Sequence, residues 1–112
     1  MNAKKEINGI NTLIIKTEGC EVSVLKDMLD TLQNKLNGFV FIANINDNSV
    51  NFLAKSSKEL EDKINCGQIV KDVSIKSNGN GGGSKTFANG GGSSIDNVDD
   101  ILLDIENIIS NL

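Results

Sequence analysis

Between Gly79 and Gly92 the chain reads Gly-Asn-Gly-Gly-Gly-Ser-Lys-Thr-Phe-Ala-Asn-Gly-Gly-Gly, which puts seven of its 11 glycines into one short segment. Glycine has no side chain to bury and loses more backbone freedom on folding than any other residue. Intrinsic propensity therefore disfavours both helix and strand here. One reading is a flexible surface linker. Against it stand Phe87 and Ala88, apolar residues set between the two glycine triplets. Long structureless loops inside small domains are also uncommon. The segment 79–92 is therefore expected to be an anchored loop whose Phe-Ala centre packs into the core.

Such a loop has a chemical use. Successive exposed N–H groups in a glycine-rich backbone form a concavity that suits anions. Lys85 adds a charge, and the hydroxyls of Ser84 and Thr86 add donors for a phosphate. A nucleotide-binding P-loop is a different matter. Gly79 to Thr86 approaches G-x-x-x-x-G-K-[ST], but Ser84 stands where the second glycine is needed. A P-loop also opens directly into a helix, and Phe-Ala-Asn-Gly-Gly-Gly is a poor helix start.

The flanking sequence predicts the scaffold. Residues 10–17 are β-branched and apolar and read as a strand. Val22, Leu25, Met28, Leu29, Leu32 and Leu36 recur at helical spacing, with Ser23 as the expected N-cap and Asn37-Gly38 as the stop. Phe39 to Ile45 is an almost unbroken apolar run, the pattern of a strand covered on both faces. Turn residues Asn46-Asp47-Asn48 then predict a hairpin into a strand over Val50 to Ala54. Ser56 and Glu59 have capping-box spacing. Gly67 interrupts the helical pattern that follows, so two short helices or one kinked helix are expected. Ser93 or Ser94 is the expected cap of a last helix. Its apolar stripe is Ile95, Val98, Ile101, Leu102, Ile105, Ile108 and Leu112. The expected class is α/β (α+β): a single domain over 1–112 with a mixed sheet of about four strands and helices packed against it.

Composition removes several function classes. The 112 residues include no His, and all 11 basic residues are Lys. The commonest general base and metal ligand is thus missing, as is the guanidinium fork that grips phosphate in two places. Cys20 and Cys66 show no CxxC spacing and are expected as free thiols. No apolar run approaches the ~20 residues of a membrane span, and no secretory signal pattern follows Met1. A cytoplasmic location with no membrane partner is the expectation. The net charge of −4 is uneven: residues 93–112 carry five acids and no Lys. Those acids are read as a solvated helix face, with a protein-interaction surface as the rival reading.

Gly81-Gly-Gly-Ser-Lys-Thr-Phe-Ala-Asn-Gly-Gly-Gly92 resembles the signature of the DHHA1 domain as it occurs in alanyl-tRNA synthetases. That signature is a glycine run, an Arg-Pro-Asp-Met-like stretch, then Ala-Gln-Ala-Gly-Gly. Here Ala88-Asn89-Gly90-Gly91-Gly92 stands in for the second half, and Ser84, Lys85 and Thr86 replace the Arg-Pro-Asp-like residues. Leu53 to Leu60, Lys63 to Lys71 (with Cys66-Gly67 at the family's Ala-Gly pair) and Leu25 to Leu36 extend the resemblance over nearly the whole chain.

The resemblance implies a non-catalytic C-terminal domain excised from a larger synthetase, its N-terminal residues standing in the family's first strand region. In that family the domain holds the tRNA while other domains aminoacylate and edit it. The implied partners are tRNA(Ala) and the other domains of the parent synthetase. No cofactor is implied for this stretch, because ATP, Mg and Zn belong to upstream domains. The implied nucleic-acid-binding residues are Gly79, Gly81, Gly82, Gly83, Ser84, Lys85, Thr86, Asn89, Gly90, Gly91 and Gly92, with Lys55 and Lys71 beside them and Lys58 and Lys63 as further backbone contacts. No catalytic or metal residue is implied. DHHA1-type domains also accompany DHH phosphoesterases as nucleotide-binding accessories, where a Gly-Gly-His motif contacts the substrate. The absence of His ranks that alternative second.

Overall fold

The computed structural model describes residues 4–112. In chain order its elements are β1 (Lys4–Ile7), β2 (Ile10–Glu18), α1 (Val22–Leu36), β3 (Phe39–Ile45), β4 (Val50–Ser56), a 3₁₀ turn (Lys58–Leu60), α2 (Cys66–Lys76), β5 (Asn80–Gly83), β6 (Phe87–Gly92) and α3 (Val98–Ser110). The strands form one mixed sheet in the order β1-β2-β3-β4-β6-β5. Only β2 and β3 are parallel, and α1 is the crossover between them. All other neighbours are antiparallel.

The apolar run in β3 serves both faces, as its sequence requires. Phe39, Phe41 and Ala43, with Val50, Phe52 and Ala54 of β4, meet Val70 and Val73 of α2 and Ile101, Ile105 and Ile109 of α3. The alternate residues Val40 and Ile42, with Leu13 and Leu53, meet Leu25, Leu29 and Leu36 of α1. Phe41 and Phe52 lie with ring centroids 5.9 Å apart across the β3–β4 pair. Each fully buried Phe or Leu contributes about 1.5–3 kcal/mol relative to exposure, so the sheet is clamped between helices on both sides.

Helix boundaries differ from the sequence expectation wherever a cap was inferred from composition. α1 starts at Val22 after Glu21, not after Ser23. Its end is as expected: Asn37 takes φ 52° and ψ 53°, and its N–H donates to the Gln33 carbonyl. Ser56 is buried in β4 and caps nothing; a single 3₁₀ turn follows it. α2 is one helix, and Gly67 lies in its first turn instead of breaking it. Asn65 is its N-cap, with Oδ1 accepting from the Gln68 N–H at 3.1 Å. α3 begins at Val98 after Asn97, not at Ser93 or Ser94. Its acids form a solvated face, and three of them also make surface ion pairs. Lys16–Asp99 and Lys76–Asp104 at 2.9 Å, and Lys5–Glu106 at 3.1 Å, tie it to β2, α2 and β1.

The largest correction concerns 79–92, which is not a loop. Residues 80–92 form the β5–β6 hairpin, with β6 inserted between β4 and β5. This hairpin and the short β1 bring the sheet to six strands. The glycines are required because α2 lies directly on the hairpin. A Cβ at Gly90 would stand 2.4 Å from Ser74 Oγ, and one at Gly81 2.8 Å from the same atom. Ala88 is buried in the core beneath α2, while Phe87, on the opposite face, packs half-buried against the α1 cluster. The Phe-Ala centre thus anchors the segment as expected, but as a strand.

Candidate glycine-hairpin site

Ser84, Lys85 and Thr86 connect β5 to β6, and their carbonyls are all engaged. The N–H groups of Cys66 and Gly67 donate to Lys85 O (2.9 Å) and Ser84 O (2.8 Å), and the Ser56 N–H donates to Thr86 O (2.9 Å). The hairpin turn thereby caps the N-terminus of α2. Those amides, with the Gln68 N–H bound by Asn65, leave no open anion nest at that helix end. The Ser84 hydroxyl is also turned inward: Oγ accepts from the Phe87 N–H at 3.2 Å.

The same hairpin decides which glycine amides remain open. β6 has a strand on each side, so its backbone groups are spent in two ladders. β5 lies at the sheet edge. The Ser84 N–H bonds to Phe87 O at 2.8 Å, and hydrogen-bonded pairs alternate along an antiparallel ladder. Gly82–Asn89 and Asn80–Gly91 are then the bonded pairs, and the N–H and C=O of Gly81 and Gly83 point away from β6, with the Gly83 carbonyl seated against Gly67 of α2.

Charge collects at this edge. Lys85 is exposed at the hairpin tip. Lys71 is exposed on α2 between Gly67 and Ser74, four residues before and three after it, both of which press on the hairpin. Lys71 therefore rides on the helix stripe beside β5. Among the described residues neither lysine has a carboxylate at ion-pair distance, and no Asp or Glu occurs from residue 73 to 95.

The remaining sequence-derived site residues are dispersed. Gly90 and Gly92 press against Ser74 and Ser77 of α2, and Gly79 donates its N–H to Ser74 O while packing on the backbone of Gly91. These three are packing positions. Gly82, Asn89 and Gly91 occupy the opposite face of the hairpin, where an open cleft of about 260 Å³ is lined by Val22, Asn51, Leu53, Asn89 and Gly90. Asn51 and Val22 carry no motif that sequence reading can use. Lys55 is on that same face and is held by Asp30. Lys58 and Lys63 belong to the segment before α2, where Lys63 lines a cleft with Ile108, Ile109 and Leu112 at the end of the chain.

Thr86 is half-buried. Cys66 is buried at the start of α2; desolvation pushes its thiol up to about 11, opposed by the neighbouring Ser56 hydroxyl. Such a thiol is a packing group at neutral pH. Among the described residues no three His, Cys, Asp or Glu side chains come together as a metal-holding group, and no helix is long and apolar enough to cross a membrane.

Comparison with known proteins bears on the whole chain. The family model of the DHHA1 domain matches residues 9–111. Alanine–tRNA ligase of Clostridioides difficile is 38% identical over 103 residues, 90% of this chain. That of Fervidobacterium nodosum is 35% identical over 105 residues, 94% of it. The chain spans 12% of the length of these curated relatives. The crystal structure of the C-Ala domain from Aquifex aeolicus alanyl-tRNA synthetase superposes with a TM-score of 0.88 at 27% identity, covering 96% of this chain and 97% of that one. A DHH-domain member of the s1p family of ribosomal proteins shares the fold at TM-score 0.68 and 13% identity, over 99% of this chain and 28% of that one.

Proposed function

The chain belongs to the DHHA1 domain family, and from that membership we propose that it is the C-terminal, tRNA-binding domain of an alanine–tRNA ligase. The observation that carries this reading is the match to the C-Ala domain along almost the full length of both chains. In this role the domain performs no chemistry. It holds tRNA(Ala) for aminoacylation and editing by other domains of the same ligase, which would carry the ATP, Mg and Zn. The proposed contact surface is the β5–β6 hairpin with Lys85 at its tip and Lys71 beside it, an acid-free stretch in an otherwise acidic chain. Asn89 and Lys55 belong to its other face. The phosphoesterase-accessory reading has only a shared fold in its favour, and the chain has no His to make that family's substrate contact.

Two exposed lysines and a net charge of −4 imply weak, salt-dependent binding, with a Kd of about 1–100 µM near physiological salt. Titration of labelled tRNA at low salt, comparing wild type with Lys85→Ala, tests the reading. Weaker binding by the variant supports it. Absence of binding by the wild-type chain at low salt refutes it.

A further inference from the structure

One side chain ties the first strand of the chain to its last helical turn. β1 and β2 are joined by Asn8-Gly9, both at positive φ (54° and 77°), the pattern of a two-residue I′ hairpin turn. Asparagine is one of the few residues with a side chain that visits this region, so Asn8 suits the turn. Its amide has a second use. Nδ2 donates to Ile109 O at 3.3 Å and to Leu112 O at 2.9 Å, at the end of α3. That end has few other supports. The last carbonyls of a helix lack intrahelical donors and form the negative end of its dipole. A nearby cation or a left-handed C-terminal residue often answers them. Here residues 93–112 contain no Lys, and Asn111 at the C-cap has φ −98°. The Leu112 N–H to Ile109 O bond is long, at 3.4 Å. Of the apolar side chains in this turn only Ile109 is fully buried; Ile108 is half-buried and Leu112 is 48% exposed. One turn earlier, Glu106 pairs with Lys5 of β1 at 3.1 Å. Both polar ties therefore run to the same hairpin.

We propose that the β1–β2 turn is a latch on the end of α3. Asn8, with Lys5 behind it, holds residues 107–112 against the domain, and displacement of β1 releases that turn as a unit while the central sheet, α1 and α2 stay folded. Segments with few buried apolar contacts open locally at much lower free energy than the core, and this turn has one fully buried side chain. Release moves the α3 wall of a cleft of about 240 Å³, in which Ile108, Ile109 and Leu112 face Ile64 and Ile69. The coupling is reciprocal, because a contact that favours the docked turn favours the docked strand by the same amount. On the C-terminal-domain reading the other ligase domains join on the β1 side, and the latch carries a shift of β1 to the far helix.

The test is native-state hydrogen exchange of the 112-residue chain labelled with ¹⁵N. Asn8→Gly keeps a residue at ease with positive φ and removes only the side-chain amide. Asn8→Asp replaces the donor with a carboxylate that faces the two carbonyls. Both should speed exchange at the amides of residues 109–112 by about fivefold, the effect of losing one hydrogen bond, with Asp the stronger. The amides of Leu29 and Ile42 should keep their wild-type rates. Ile108→Gly weakens the helix end without touching β1, and should speed the Lys5 and Ile7 amides by about twofold or more. Unchanged rates at 109–112 in both Asn8 variants overturn the latch. Equal acceleration at Leu29 and Ile42 also overturns it, because Asn8 then serves global stability alone. Ile108→Gly with β1 unmoved overturns it as well, and leaves Asn8 a simple helix cap. No RNA enters this assay, so the latch and the tRNA-binding reading stand or fall separately.

Discussion

Replacing Gly67 by alanine separates helix propensity from tertiary packing, because the two predict opposite signs. Gly67 is in the first turn of α2. Within a helix, alanine is favoured over glycine by ~0.8–1.0 kcal/mol, so propensity alone predicts a gain. The structure predicts a loss. A Cβ at this position would lie 2.5 Å from Gly83 O, 2.9 Å from Gly83 C and 3.1 Å from Ser84 O. All three are backbone atoms of the hairpin, so no side-chain rotation relieves them. Overpacking of this kind costs about 1–3 kcal/mol. Moving the hairpin away also weakens the Gly67 N–H to Ser84 O bond of 2.8 Å, a further ~1 kcal/mol. After the propensity gain is subtracted, Gly67→Ala should destabilise the fold by about 1–3 kcal/mol, or roughly 4 °C in Tm per kcal/mol for a chain of this size. Urea unfolding followed by circular dichroism measures it. A variant as stable as the wild type, or more so, would refute the close seating of α2 on the glycine hairpin.

Two further stability predictions follow from the same region. Asn65→Ala removes the side-chain acceptor of the Gln68 N–H and should cost about 1 kcal/mol in urea unfolding, whereas Asn65→Asp should recover most of it. The Cys66 thiol is raised from an ordinary 9.0 to about 11 in the fold. The unfolded chain therefore gives up its proton first, so this group's contribution is intact below pH 9 and declines as the pH rises toward 11. Two pKa units correspond to at most about 2.7 kcal/mol. Cys66→Ala should flatten that part of the stability–pH profile, and an unchanged slope would count against a buried thiol.

Much of the scaffold was legible because side-chain patterning fixes it. The unbroken apolar run from Phe39 to Ile45 can only be satisfied by cover on both faces, and it receives α1 on one and α2 with α3 on the other. The leucine stripe of α1, the isoleucine stripe of α3 and the β3–β4 hairpin follow from period and turn chemistry in the same way. Helix starts were not legible from Ser-x-x-Glu or lone serines. A buried strand claimed Ser56, and Asn65 and Asn97 stood closer to where packing begins α2 and α3. The acids of α3 are solvated as read, but their pairing was not legible because the lysine partners, Lys5, Lys16 and Lys76, come from three other elements.

By itself the sequence determined that the chain is a mixed α/β domain of DHHA1 type, that Phe87 and Ala88 anchor its glycine segment, and that Lys85 stands amid acid-free chain. Only the tertiary structure decided that the glycines are strands, that Gly90 and Gly92 serve packing, and that Lys71 joins Lys85 at the β5 edge while Lys55 is turned to the other face. The reason is physical. Strand and register are written in alternating side chains, and glycine has none, so its conformation is set by what lies against it: here the backbone of β4 on one side and the closely seated helix α2 above.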